Sequence, residues 1–114
     1  MKKIYDFSNY KLSDTIKEKL EKQDKWPIST QIPKAGNNYQ DTIKDITCVD
    51  ISKIIGWVNN TEFKDGILYG DIELNNKYIV FKNEKITPVA LYRKPENLNE
   101  KTTIINFSYF SFIT

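Results

Sequence analysis

Histidine is absent from this 114-residue chain, and cysteine occurs once, at Cys48. The first absence removes the usual general base, the usual activator of a nucleophile and the commonest transition-metal ligand together. Any chemistry would fall to carboxylates, lysines, tyrosines or Cys48, so the chain reads as a non-enzyme that needs no cofactor. The lone cysteine excludes an intramolecular disulfide, and with no histidine to activate it a small buried strand residue is its expected role. Long apolar runs are also missing: nothing approaches the roughly 18 to 20 residues of a transmembrane helix. The opening "MKKIYDFSNYKL" has two lysines but no apolar stretch after them, so no signal peptide is expected. These points predict a protein of the producing cell's cytoplasm, with no membrane partner. Charge of one sign is lacking too, because 17 basic and 15 acidic residues are interspersed to a net +2. That balance disfavours both a dedicated nucleic-acid binder and an acidic mimic of nucleic acid.

Bulky residues are what the chain has. Its hydrophobic fraction is 39%, dominated by Ile, Tyr and Phe, and 13% of residues are aromatic. Such side chains bury much area each, so a compact core is expected and disorder is not. The length suits one domain over 1–114, with a helix and an extended arm in 1–40 and a sheet core in 41–114. The one helical pattern is "SDTIKEKLEKQDKW", 13–26, with Ser13 or Asp14 as N-cap and Leu12, Ile16 and Leu20 as a narrow apolar stripe. Glu18 with Lys22 and Glu21 with Lys25 have the spacing of helical ion pairs, and Pro27 supplies the stop. "PISTQIPKAGNNYQ", 27–40, reads as an extended connection whose tip is near Gly36 to Asn38.

Beyond Thr42 the pattern is that of strands. "ITCVDI" (46–51) and "KIIGWV" (53–58) are rich in β-branched residues, with a helical turn at "DISKII" as the competing reading. Asn59-Asn60 signals a turn, and Asp65-Gly66 a type I′ hairpin. In "ILYGDIEL", Leu68, Gly70, Ile72 and Leu74 share one face, and Ile67, Tyr69, Asp71 and Glu73 the other. "KYIVF" (77–81), "ITPVALYR" (86–93) and "TTIINFSYFSFI" complete the set, with Pro88 marking an edge or a bulge. The expected fold class is α+β and mostly β: a small antiparallel meander or barrel-like sheet with one N-terminal helix.

Asp71 and Glu73, about 7 Å apart along one strand face, could hold Mg²⁺, but a solvent-facing edge with alternating acids explains them more simply. Asp50 followed by Glu62-Phe63-Lys64 has the bare spacing of Mg²⁺-dependent nucleases, but the lysine enters a turn. Trp57, Tyr69, Tyr78, Phe81 and Tyr92, with lysines between them, could stack bases on a small barrel; without a charged funnel they read more simply as core. In "INFSYFSFIT", Phe107 and Tyr109 are expected on one face and Phe110 and Phe112 on the other. A strand aromatic on both sides is either a sandwiched central strand or an interface, and protein–protein contact is the stronger functional signal here.

"IIGWVNNTEFKDGILYGDIEL" followed by "ITPVALYR" resembles a segment of phage head-maturation proteins, in which an IG-x-V strand, a DG-x-L-x-G-D-I hairpin and an I-x-P-V strand follow one another. The likeness covers Ile54 to Arg93. Those proteins are serine–histidine proteases, and without histidine that activity does not carry over. The resemblance implies phage origin and a structural role. The expected function is thus that of a viral accessory protein that binds another protein, a capsid or virion component first, and that could self-associate. Alternatives are a small phage-encoded inhibitor of a host defence system or enzyme, and a nucleic-acid-binding barrel.

Overall fold

The computed structural model describes residues 2–31 and 48–112. The predicted loop tip at Gly36 to Asn38 therefore lies outside the described residues. Seven strands form one mixed sheet: β1 (Lys2–Asp6), β2 (Lys11–Leu12), β3 (Trp26–Ser29), β4 (Ile54–Lys64), β5 (Ile67–Leu74), β6 (Ile86–Arg93) and β7 (Thr103–Phe112), with helix α1 (Asp14–Lys22) between β2 and β3. The spatial order is β1-β5-β4-β3-β7, and β7 also pairs with β2 and β6. The sheet curls into a half-barrel, so the mostly β, barrel-like expectation with one helix holds. Its order is not that of a sequential meander. β2 and β3 run parallel to β7, and the other pairs are antiparallel. The segment expected as helix plus arm thus contributes three strands to the same sheet.

The helix is shorter than 13–26, and its ends have visible causes. The Ser13 hydroxyl caps it, accepting from the Ile16 amide at 3.2 Å and donating to the Ile105 carbonyl. It stops at Lys22 because β4 captures the next carbonyls: Thr61 donates from its hydroxyl to Gln23 and from its amide to Asp24. Trp26 is then free to enter the core as the first residue of β3, and Pro27 lies buried within that strand instead of ending a helix. Ile16 and Leu20 are fully buried, and Glu18 and Lys22 form the expected pair at 2.7 Å. The Glu21–Lys25 pair does not form, since Lys25 lies beyond the helix with its ammonium 4.4 Å from the Trp57 ring centre. The helix lies beside β7 where that strand's edge passes from β2 to β3. Ser13 N–H reaches the Ile104 carbonyl there, and Lys19 reaches Asn106 at 2.9 Å.

The C-terminal strand is central, and its aromatic faces differ from the alternating pattern. Ile104, Phe107 and Phe110 are all fully buried, yet a regular strand would put Phe107 on the opposite face from the other two. The pairing with β6 gives the reason. Tyr92 opposes Ile104 and Leu91 opposes Asn106; Ala90 opposes Phe107 and Pro88 opposes Phe110. Each of these steps spends one extra residue on β7. Two β-bulges therefore reset the parity and bend the strand, which increases the curl of the sheet. Phe107 stacks on Trp26 at 4.8 Å and on Phe7 at 5.7 Å, while Phe110 meets both Phe107 and Trp26 edge-on. The core is this aromatic cluster, sealed by Ile4, Ile28, Val58, Leu68 and the helix.

The Asp65-Gly66 turn forms with positive φ at both residues, and Gly66 also accepts from the Phe7 amide. The two faces of β5 fall as expected, with Leu68, Gly70 and Leu74 buried and Asp71 and Glu73 exposed. Asn59-Asn60 is not a turn: β4 runs through it with a bulge that places Asn60 at positive φ and aims Thr61 at the helix end. Of the expected 46–51 strand, the described part is irregular up to Asp50, and Ile51–Lys53 is a 3-10 turn. Residues 77–81 are not a strand either, because Asn76–Phe81 winds into a 3-10 helix. Pro88 sits on β6, an edge strand, beside a register shift, as its missing donor predicts. The outer edges of β1 and β6 approach each other, with Tyr5 beside Thr87.

Phe107→Ala is expected to cost about 3–5 kcal/mol, from lost burial plus the cavity left in a packed aromatic cluster. Phe112→Ala, at the half-buried end of the strand, should cost less than half as much. Urea unfolding followed by circular dichroism gives both values, and equal costs would contradict this core.

Candidate functional site

The four aromatics of the C-terminal strand are not one surface. Phe107, Tyr109 and Phe110 have no exposed area, and only Phe112 remains half-buried. The first three are thus corrected from interface to interior, because the bulges and the central position of β7 cover both its faces. The sandwiched central strand, the other reading of this segment, is the one that forms, with bulges that simple alternation does not anticipate.

The acidic candidates are held on the outer sheet face as structural pairs. Glu73 accepts from the Asn59 side chain at 2.9 Å, and Asp71 has the Asn60 amide at 3.5 Å. Among the described residues no cluster of three or more carboxylate, cysteine or histidine side chains could hold a metal ion. Asp50 accepts from the amide and hydroxyl of Ser52, which holds its carboxyl below the usual range. Most of the length of β4 separates it from Glu62 and Lys64, so the nuclease spacing does not converge. Cys48 is exposed outside any strand, contrary to the expected buried role, because the sheet begins only at Ile54 on this side.

What gathers instead is an apolar turn the strand reading concealed. The 3-10 helix Asn76–Phe81 presents Ile79 at 49%, Val80 at 77% and Phe81 at 42% exposure. Winding the segment puts these side chains on its outside, whereas a strand would have buried alternate ones. Phe81 stands 6.5 Å from Tyr78 and 5.5 Å from Phe112, ring centre to ring centre, so the turn continues onto the end of β7. Lys77, Lys82 and Lys85 flank it in the exposed segment, against Glu84 alone among acids, and Lys2 reaches the Lys82 carbonyl. An apolar plug in a basic rim results.

At the other end of β6, Tyr92 and Tyr10 lie with ring centres 5.8 Å apart, and the Tyr5 phenol neighbours that of Tyr10. Burial comes first, then the neighbouring phenols of Tyr5 and Tyr10, in pushing Tyr92 up to about 12. Tyr5 is raised too, again mainly by burial. The proposed base-stacking set is dispersed: Trp57 and Tyr69 lie on β4 and β5, Tyr78 and Phe81 on the 3-10 turn, Tyr92 at the far end of β6. Among the described residues no helix is long and apolar enough to cross a membrane.

Fold and surface together define a small mixed β half-barrel, capped by one helix and carrying an exposed apolar turn with a basic rim. No protein-family model, curated protein or solved structure matches the chain.

The tyrosine cluster sets an alkaline limit on stability. A phenol raised in the folded state stabilises fully below the unfolded value of 10.0 and loses that contribution as pH climbs toward about 12. Melting temperature should therefore fall across this window, and Tyr92→Phe should flatten the fall. A variant with the wild-type slope would remove Tyr92 as the cause.

Proposed function

We propose that this chain is a non-enzymatic protein-binding module that docks an acidic protein surface through Ile79, Val80 and Phe81. The observation that carries the reading is the exposure of three consecutive large apolar side chains, continuous with the Phe112 ring and rimmed by lysines. Contiguous apolar surface with a charged border is the usual form of a specific contact: the centre supplies burial, the rim supplies selectivity. Pairing of two copies through this patch is disfavoured. An isologous contact sets each patch against itself and would bring Lys77, Lys82 and Lys85 toward their own copies. A partner with an apolar pocket bordered by Asp and Glu meets both requirements. Joined to the resemblance of Ile54 to Arg93 to phage head-maturation proteins, the reading extends to a phage accessory protein whose partner is a capsid or virion component.

A photo-crosslinking residue at Val80, used in the producing cells, should trap one protein in stoichiometric yield. With that protein purified, Ile79→Asp combined with Val80→Asp should weaken binding at least tenfold, a loss of about 1.4 kcal/mol or more. Lys77→Glu with Lys82→Glu should weaken it further at low salt than at high salt. A trapped host protein would keep the docking surface and replace the virion assignment. Adduct formation only between copies of this chain, or binding to anionic vesicles alone, would overturn the proposal.

A further inference from the structure

The opposite end of the half-barrel carries two adjoining clefts that the docking surface does not involve. One, of about 520 Å³, lies among the ends of β2 and β6 and the loop before β7, and four cations line it: Lys11, Arg93, Lys94 and Lys101. Glu96 and Glu100 also line it, leaving an excess of two positive charges. None of the four cations has a carboxylate within 4.0 Å, since Glu18–Lys22 is the ion pair found among the described residues. The second cleft, of about 580 Å³, has Tyr10 and Phe63 in its wall, with Phe7 as the buried floor. Lys11 borders both. Lys101 ties them from the other side, donating to the carbonyl of Ser8, which itself lines the aromatic cleft.

We infer that this pair of clefts binds a nucleoside phosphate group, with the phosphate among the four cations and the base against Tyr10 and Phe63. The juxtaposition selects the ligand class. A cationic cleft alone would suit any small anion, and an aromatic cleft alone any flat ring. A molecule that satisfies both needs an anionic end and an aromatic end a few ångströms apart, as a nucleotide has. Arg93 offers a planar fork for phosphate oxygens and the lysines add point charges, while a tyrosine face accepts any base by stacking. The same chemistry is present in a free nucleotide and in a single nucleic-acid strand. The modest net charge of the chain does not oppose this, because recognition of one phosphate group needs a local excess only.

Isothermal titration of the full chain with ADP, adenosine, inorganic phosphate and a ten-nucleotide single strand tests the inference. ADP should bind at least about tenfold more tightly than phosphate or adenosine alone, since each fragment fills one cleft. Lys11→Gln and Arg93→Gln should each weaken ADP by roughly tenfold. Tyr10→Leu, which keeps bulk at a half-buried position, should weaken ADP while leaving phosphate unchanged. Tighter binding of the strand than of ADP, with the same response to Lys11→Gln and Tyr10→Leu, would support the site and assign it to nucleic acid. Thermal melting confirms that each variant is folded. No binding of ADP or the strand near 1 mM would overturn the proposal, as would binding that ignores Tyr10→Leu, which is adsorption of a polyanion.

Discussion

The stacking of Phe107 between Trp26 and Phe7 is the contact on which the remaining structure depends. It joins β7, β3 and the residue after β1, which are remote in sequence, around one ring. Phe107 can occupy that place only because β7 carries a bulge on each side of it. Each bulge spends a residue without a partner, and both are repaid by burial of Ile104, Phe107 and Phe110 on a single face. The bend they impose curls the sheet, and the curl brings the edges of β1 and β6 together at Tyr5 and Thr87. With those edges facing each other, each is less exposed as a template for pairing with other chains.

The central position of β7 also explains where helix and surface turn must lie. Two short parallel strands share one of its edges with a gap between them, and α1 beside that gap supplies partners through Ser13 and Lys19. Its capping serine thus belongs to the sheet as much as to the helix. On the opposite side β6 is drawn tight against β7, and the connection from β5 has to cross the end of the half-barrel. It does so as a 3-10 helix, which leaves Ile79, Val80 and Phe81 outside the core. The two ends of the molecule differ chemically as a result: an apolar plug with a basic rim at one, paired cationic and aromatic clefts at the other.

Functional readings from composition met the structure unevenly. Residues chosen for being acidic and two apart, Asp71 and Glu73, were placed on the correct face, yet no third ligand stands near them among the described residues. Of the aromatics chosen at the end of the chain, Phe107, Tyr109 and Phe110 are interior and Phe112 alone is half-buried. The accessible aromatic residues that form surfaces, Phe81 with Phe112 and Tyr10 with Phe63, come from separate segments. No window of sequence contains both members of either pair.

Local chemistry decided much of this protein from its sequence alone. The Asp65-Gly66 turn, the faces of β5, the Ser13 cap, the extent of β6 and the mostly β class all follow from φ preferences, alternation and hydrogen-bonding side chains within a few residues. Only the tertiary structure decided the rest. A bulge changes strand parity without a reliable local signature, so which side of β7 each aromatic faces depended on what β6 and β3 offered it. The helix end was set by Thr61, nearly forty positions away, and Trp26 left the helical pattern because the core had room for an indole. Whether Tyr78 to Phe81 lies in a strand or winds outward was settled by the space left at the end of a curled sheet. That space exists only once β5 and β6 are already in place.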